Sequence, residues 1–263
     1  MYQPKLRKQR SGIPIMRNNE IDVHAEEFLL DYKSSLLKTP QPVDIEAFAE
    51  FYLDLAMDYA YLSHCGLILG RMVFQEAERV PVYLPEEKCA DYLYAKRGTL
   101  LIDNTLLEDR KEYRLRSTIG HECGHWIFHS DYYTAMDKRK HYKNARLPEI
   151  TGCKKTDIEG GADMAGRRKL VTDADWLEHH AKYFSAAILM PKTPFMNAVS
   201  DLAGIGRGSG VDLQEKLAHI FQVSPVSVKI RLSQLGFNNY VFRNERTQDD
   251  EQYNKLLQMP GAL

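Results

Sequence analysis

The chain has 263 residues, 44% hydrophobic and 27% charged, with a formal net charge of −1. That length buries a real core in one or two domains, and the near-zero charge excludes a molecule that binds polyanions by bulk charge. The four cysteines, Cys65, Cys89, Cys123 and Cys153, form no C-x-x-C pair, so reduced thiols in a cytoplasmic protein are expected rather than a disulfide scaffold.

Residues 1–20 are basic but lead into no apolar run of signal-peptide type, and they are expected to form a flexible arm. No stretch of about 18 apolar residues occurs, so no membrane span or membrane partner is expected. Apolar positions at Ile21, Phe28, Leu29, Tyr32, Leu36 and Leu37 predict an amphipathic helix over 20–38. "TPQPVD" stops it, and Ile45, Phe48, Phe51, Tyr52 and Leu55 predict a second helix over 44–58. "GLILGRMVF", "VPVYLP" and "GTLLIDN" are short apolar runs between Gly, Pro and Asn, and they predict a small sheet of about three strands.

After Asn104 the chain returns to helix and enters "HECGHWIFH" at 121–129. His121 and His125, four residues apart on a helix, share one face and can chelate one Zn²⁺ per chain. Glu122 projects about 100° further round, where it can take a proton from an activated water without displacing a ligand. This is the chemistry of metal-assisted hydrolysis. Gly124 leaves room for another backbone. His129 lies on the Glu122 side and is a candidate to stabilise an oxyanion or to hydrogen-bond near the metal. Tyr132, Tyr133 and Tyr183 are further candidate donors to an oxyanion.

Residues 131–170 are polar and read as a long loop or inserted excursion. Lys138, Arg139, Lys140, Lys143, Arg146, Arg167, Arg168 and Lys169 make it basic, a candidate nucleic-acid or acidic-peptide contact over 138–169. Cys153, beside Lys154 and Lys155, is a candidate inhibitory zinc ligand. A helix over 174–189 follows, with Asp173 as its expected cap and Pro191 closing it. A catalytic zinc needs a third protein ligand, and this helix offers Glu178 first, with His180 and His179 behind. Glu178, Ala181 and Ser185 share a face whose small residues permit close packing; Trp176, His180, Phe184 and Ala187 form a stripe suited to the core. "LAHIFQVSPVSVKIRLSQLGF" has helix-turn-helix spacing, with Lys229 and Arg231 on its second helix.

"STIGHECGHWIFH" followed by "WLEHHAKYFSAAILMP" resembles the ImmA/IrrE family of metallo-endopeptidases. His121, Glu122, Gly124, His125 and His129 match its first motif; Glu178, Ala181, Phe184, Leu189, Met190 and Pro191 match its second. Ser185 and Lys182 depart from its usual residues. The resemblance spans roughly residues 45–240. It implies a gluzincin-like site of two His and one Glu. It also implies cleavage of helix-turn-helix repressors, on mobile elements or in stress responses.

The expected architecture is α+β. A mainly helical, zincin-like metallopeptidase domain at 21–192 carries the excursion. A helix-turn-helix-like helical unit at 193–242 completes the cleft, and 243–263 is a polar tail. The expected activity is zinc-dependent peptide-bond hydrolysis with Glu122 as general base. Two other functions compete with it. One is a DNA-binding regulator using the 213–237 helix pair; the other is a non-catalytic metal-bound protein that sequesters its partner.

Overall fold

The computed structural model describes residues 1–108, 111–143, 153–155, 170–205 and 210–237, and they form a mixed α+β fold. Helix α1 spans Asn18–Lys33 and tightens into a 3₁₀ turn at Ser34–Leu37. A short helical segment follows, α2 at Ile45–Ala47 running into a π turn at Phe48–Tyr52, with the Asp44 carboxylate accepting the Ala47 N–H as its cap. The expected helix over 44–58 therefore ends early. Asp54 turns the chain at φ 57°, and Ala56–Ala60 form strand β1 instead. β1 is largely exposed, so it lacks the alternation that would have marked it.

The remaining strands are β2 (Ile68–Met72), β3 (Ala77–Leu84), β4 (Cys89–Ala95), β5 (Thr99–Asp103) and β6 (Cys153–Lys154). The small sheet has four strands rather than about three, in the order β1-β5-β2-β6, with β1 parallel to β5 and the other pairs antiparallel. β3 and β4 pair as a separate two-stranded ribbon. β5 is buried along its whole length, as the centre of a covered sheet must be.

Helix α3 runs over Glu112–Lys143 and lies across β2 and β5. It extends well past residue 131, so the start of the expected excursion is helix. Residues 130–143 contain no Gly or Pro, and helix formers such as Ala135, Met136 and Lys138 sustain the turn despite their polar setting. The side chains of the basic run at 138–143, and residues 144–152 and 156–169, lie outside the described residues, as does the tail at 243–263. Cys153 is also not in a loop: it is a buried member of β6.

Helix α4 (Asp173–Leu189) begins one residue before the expected start. Its cap is Thr172, whose hydroxyl accepts the Asp175 N–H while the Asp175 carboxylate accepts the Thr172 N–H. Helices α5 (Lys192–Ile205), α6 (Gly210–Phe221) and α7 (Pro225–Gln234) follow among the described residues. α6 and α7 are joined at 222–224, where Ser224 caps α7 and Pro225 opens it. One contiguous core takes in Ile21, Phe28 and Phe48 near the N-terminus, Ile102 and Ile119 in the middle, and Leu217, Phe221 and Leu232 in the C-terminal helices.

The N-terminal arm is packed, contrary to expectation. Ile13 is fully buried, Tyr2 sits edge-on to Phe28, and the Tyr2 N–H donates to the Tyr52 hydroxyl at 2.8 Å. Its apolar residues, spaced among basic ones, give no periodic signal but supply the contacts. Among the described residues no helix is long and apolar enough to cross a membrane.

Candidate metal centre

The site is built where α3 meets α4, the most closely packed helix pair among the described residues. Two glycines make that approach. A Cβ on Gly124 would lie 3.0 Å from Ala181 Cα and 3.3 Å from its carbonyl oxygen; one on Gly120 would lie 2.9 Å from Ser185 Oγ. Small residues on one helix thus face small residues on the other, and the Ser185 hydroxyl donates to the Ser117 carbonyl at 2.9 Å to fix the crossing. One turn before Ala181, the same face of α4 carries Glu178 onto the histidines of α3.

His121, Glu122 and His125 are fully buried. His121 Nε2 and His125 Nε2 lie 3.0 Å apart. The Glu178 carboxylate places one oxygen 3.4 Å from each of them. Three ligands held about 2.0–2.1 Å from one tetrahedral ion would lie about 3.3 Å from each other. Glu178 straddles the pair, with Oε2 3.4 Å from His121 Nε2 and Oε1 3.4 Å from His125 Nε2, and one ligand atom of each residue lies within 4.8 Å of the other two, a grouping that could hold one cation. Glu178 keeps 33% of its side chain exposed, which leaves an approach from solvent.

Burial would raise the Glu178 carboxyl, but its contacts with His121 and His125 hold it well below the usual carboxylate range. It is an anion at neutral pH, as a ligand must be.

Behind His125 runs a line of imidazoles. His125 Nδ1 is 2.9 Å from His129 Nδ1, and His129 Nε2 is 3.5 Å from His180 Nδ1. Burial, then His125 and His180, push His129 well below its ordinary value; burial, His179 and His125 bring His180 to about 4. Both rings are neutral, so the line has a definite sense. If His125 Nε2 offers its lone pair to a metal, its Nδ1–H donates to His129, whose Nε2–H then points at His180. His129 and His180 would in that case orient a ligand rather than bind one. His179 instead faces outward, with Nε2 2.9 Å from Asn18 Oδ1.

The three tyrosines separate. Tyr183 donates its hydroxyl to Asp22 at 2.9 Å, in a buried network with Arg231, and is turned from the centre. Tyr132 lies against Gly12 of the arm. Tyr133 stacks on Phe74 at 4.2 Å, and burial, then the charges of Glu178, Tyr132 and Glu122, push its phenol above the ordinary range. It is the tyrosine within the field of both carboxylates, and it stays a proton donor at neutral pH.

Cys123 is buried in the main core, where it packs. Cys153 comes to the site from β6: its sulfur and one ligand atom each of His121 and Glu122 all lie within 4.8 Å of one another. Arg71 on β2 carried no signal in the sequence, yet its guanidinium lies in the field of Glu122. A lone arginine in a five-residue strand has no spacing to mark it.

No protein-family model matches the chain, and no curated protein matches it. Among solved structures it is similar to a Mycobacterium tuberculosis transcriptional regulator, at 18% identity and a TM-score of 0.42, over 84% of this chain and 49% of that one. The chain spans about half the length of that protein, and at this distance the likeness says nothing of function.

Proposed function

We propose that the chain is a zinc-dependent endopeptidase of the ImmA/IrrE type, with a zincin-like catalytic domain, acting on a regulatory protein such as a helix-turn-helix repressor. The observation that carries this is the convergence of His121 Nε2, His125 Nε2 and the Glu178 carboxylate at 3.0–3.4 Å, with Glu122 buried beside them on the same helix.

His121, His125 and Glu178 would hold the ion. When bound, zinc supplies a Lewis acid that polarises a peptide carbonyl and acidifies a water. Glu122 accepts the proton of the attacking water and returns it to the leaving amine. Tyr133, the tyrosine in the field of both carboxylates, would donate to the carbonyl oxygen as charge develops on it. His129 and His180 keep the His125 ring in the tautomer that leaves Nε2 unprotonated.

The test is co-incubation with a candidate repressor, read by intact mass, with and without chelator. A single chelator-sensitive cut is expected, and Glu122→Gln should lose about 10²-fold or more in rate while retaining one zinc per chain. Zinc-free purified protein that takes up none on titration would sink the proposal. The DNA-binding alternative loses one of the two basic side chains, Lys229 and Arg231, on which it rests. Arg231 is fully buried, donating to Met190 O at 3.0 Å and paired with Asp22 at 2.7 Å, so it cannot reach a duplex.

A further inference from the structure

We propose that His121, Glu122 and Cys153 form a second cation site, exclusive of the first, which takes a soft, thiophilic ion and in doing so removes the general base. This rests on the peptidase reading above and adds a class of inhibitory ligand to it.

All three residues are fully buried, and one ligand atom of each lies within 4.8 Å of the other two. The grouping is of the same kind as that of His121, His125 and Glu178. Among the described residues no such set joins Cys153 to His125 or Glu178, so the sulfur does not serve an ion held by those two. An ion that takes the sulfur sits instead between β6 and the His121–Glu122 step of α3.

Two elements bring this set together. β6 is the edge strand of the four-stranded sheet, antiparallel to β2, with Cys153 opposite Gly70. The Lys155 N–H extends the ladder, donating to Leu67 O at 2.8 Å. Gly70 lies tight against α3: a Cβ there would fall 2.6 Å from Thr118 Cγ2 and 3.2 Å from Glu122 Cγ. Directly paired residues share a face of the sheet, so the strand beside Gly70 lays its own side chain toward Glu122.

His121 belongs to both sets, and a neutral imidazole has one unprotonated ring nitrogen, so it serves one ion at a time. The ring is also free to choose. His125 has its Nδ1 2.9 Å from His129, whereas His121 Nδ1 is buried with no hydrogen-bond partner among the described residues, so no neighbour fixes the His121 tautomer.

The sets differ in charge and in softness. Two imidazoles and a carboxylate carry one negative charge. An imidazole, a carboxylate and a thiolate carry two, which neutralise a divalent ion in a buried place. Thiolate sulfur favours soft cations. On binding, the thiol proton leaves to solvent and a sulfur lone pair forms the bond to the ion, with no oxidant or reductant required. Glu122, now a ligand, no longer accepts a proton from water.

Cys65 and Cys89 are exposed thiols, so the test uses the full chain carrying Cys65→Ser and Cys89→Ser. It is stripped of metal and titrated with Cd²⁺ alone. One cadmium per chain is expected, with an ultraviolet thiolate-to-cadmium band, and cadmium added to the zinc-loaded protein displaces zinc one for one. Adding Cys153→Ser loses the band while one zinc is still taken up, which shows that the variant is folded. Adding Glu122→Gln weakens cadmium binding by more than roughly tenfold and keeps zinc; adding Glu178→Ala loses zinc and keeps the cadmium band. Cadmium bound with no thiolate band, or a band that persists in Cys153→Ser, would overturn the second site and leave the peptidase reading standing. A band lost with Glu178→Ala, or zinc and cadmium held together, would also overturn it. No uptake of either metal would defeat the peptidase reading and the second site with it.

Discussion

Helix α4 contributes to two buried polar clusters, and they are built on opposite principles. Around Tyr183, every group has its complement. Arg231 donates to Asp22 at 2.7 Å, to the Met190 carbonyl at 3.0 Å and to Gln234 at 3.3 Å, while Tyr183 donates to the other Asp22 oxygen at 2.9 Å. Around Glu178, like faces like: two imidazole Nε2 atoms stand 3.0 Å apart, and His121 Nδ1 and His180 Nε2 find no partner among the described residues. A closed network fixes the fold. A network that leaves buried nitrogens unmatched is a candidate site, because each unmatched buried polar group costs about 1–3 kcal/mol.

Replacing Glu178 with Ala should break the open cluster as a site. Zinc affinity should fall by well over the roughly 10–100-fold typical of losing an outer partner, as measured by competition with a chromophoric chelator. The same variant should modestly lower the thermal stability of the metal-free protein at neutral pH, since a carboxylate held below its ordinary range by His121 and His125 favours the folded state. Asp22→Ala should spare the site and cost the fold. It leaves Arg231 charged and unpaired in the core, at about 3–5 kcal/mol in a urea unfolding curve, with zinc stoichiometry unaffected in the folded fraction.

Acid distinguishes the clusters next. Above His180's ordinary value of 6.5, both folded and unfolded chains hold it neutral. Between there and about 4 the unfolded chain takes up a proton that the folded chain refuses. Stability of the metal-free protein should therefore fall as pH falls through that window, by at most about 3 kcal/mol from this residue. His129, depressed in the same sense, adds to the loss. Glu178, held low when folded, adds its own loss only below its ordinary 4.5. Urea midpoints measured on either side of the window should show the slope, and zinc should steepen it, because metal binding requires unprotonated ligands and weakens in acid. The smallest effect is local. Thr172→Ala removes the cap of α4 and should cost about 1 kcal/mol, lowering the melting temperature without altering zinc stoichiometry.

The ligand helix was legible because its chemistry is local. His121 and His125 share a face through helical period alone, and Glu178 follows from its place among small residues, which Gly120 and Gly124 then meet. β2, β3 and β5 announced themselves as apolar runs between turn residues. β1 and β4 did not, since both are mostly exposed and their pairing, rather than their composition, makes them strands. Polarity misled at 131–143, where a stretch with the composition of a loop is helix.

Sequence by itself determined which side chains could bind a cation and which could move a proton, because helical spacing brings groups four residues apart together with no help from the rest of the chain. Only the tertiary structure decided what lies beyond one element's reach. It turned Tyr183 and Arg231 inward to Asp22, set Tyr133 in the field of the two carboxylates, and carried Cys153 from a polar stretch onto β2. Those outcomes depend on contacts between residues tens of positions apart, whose geometry exists only once the core has closed.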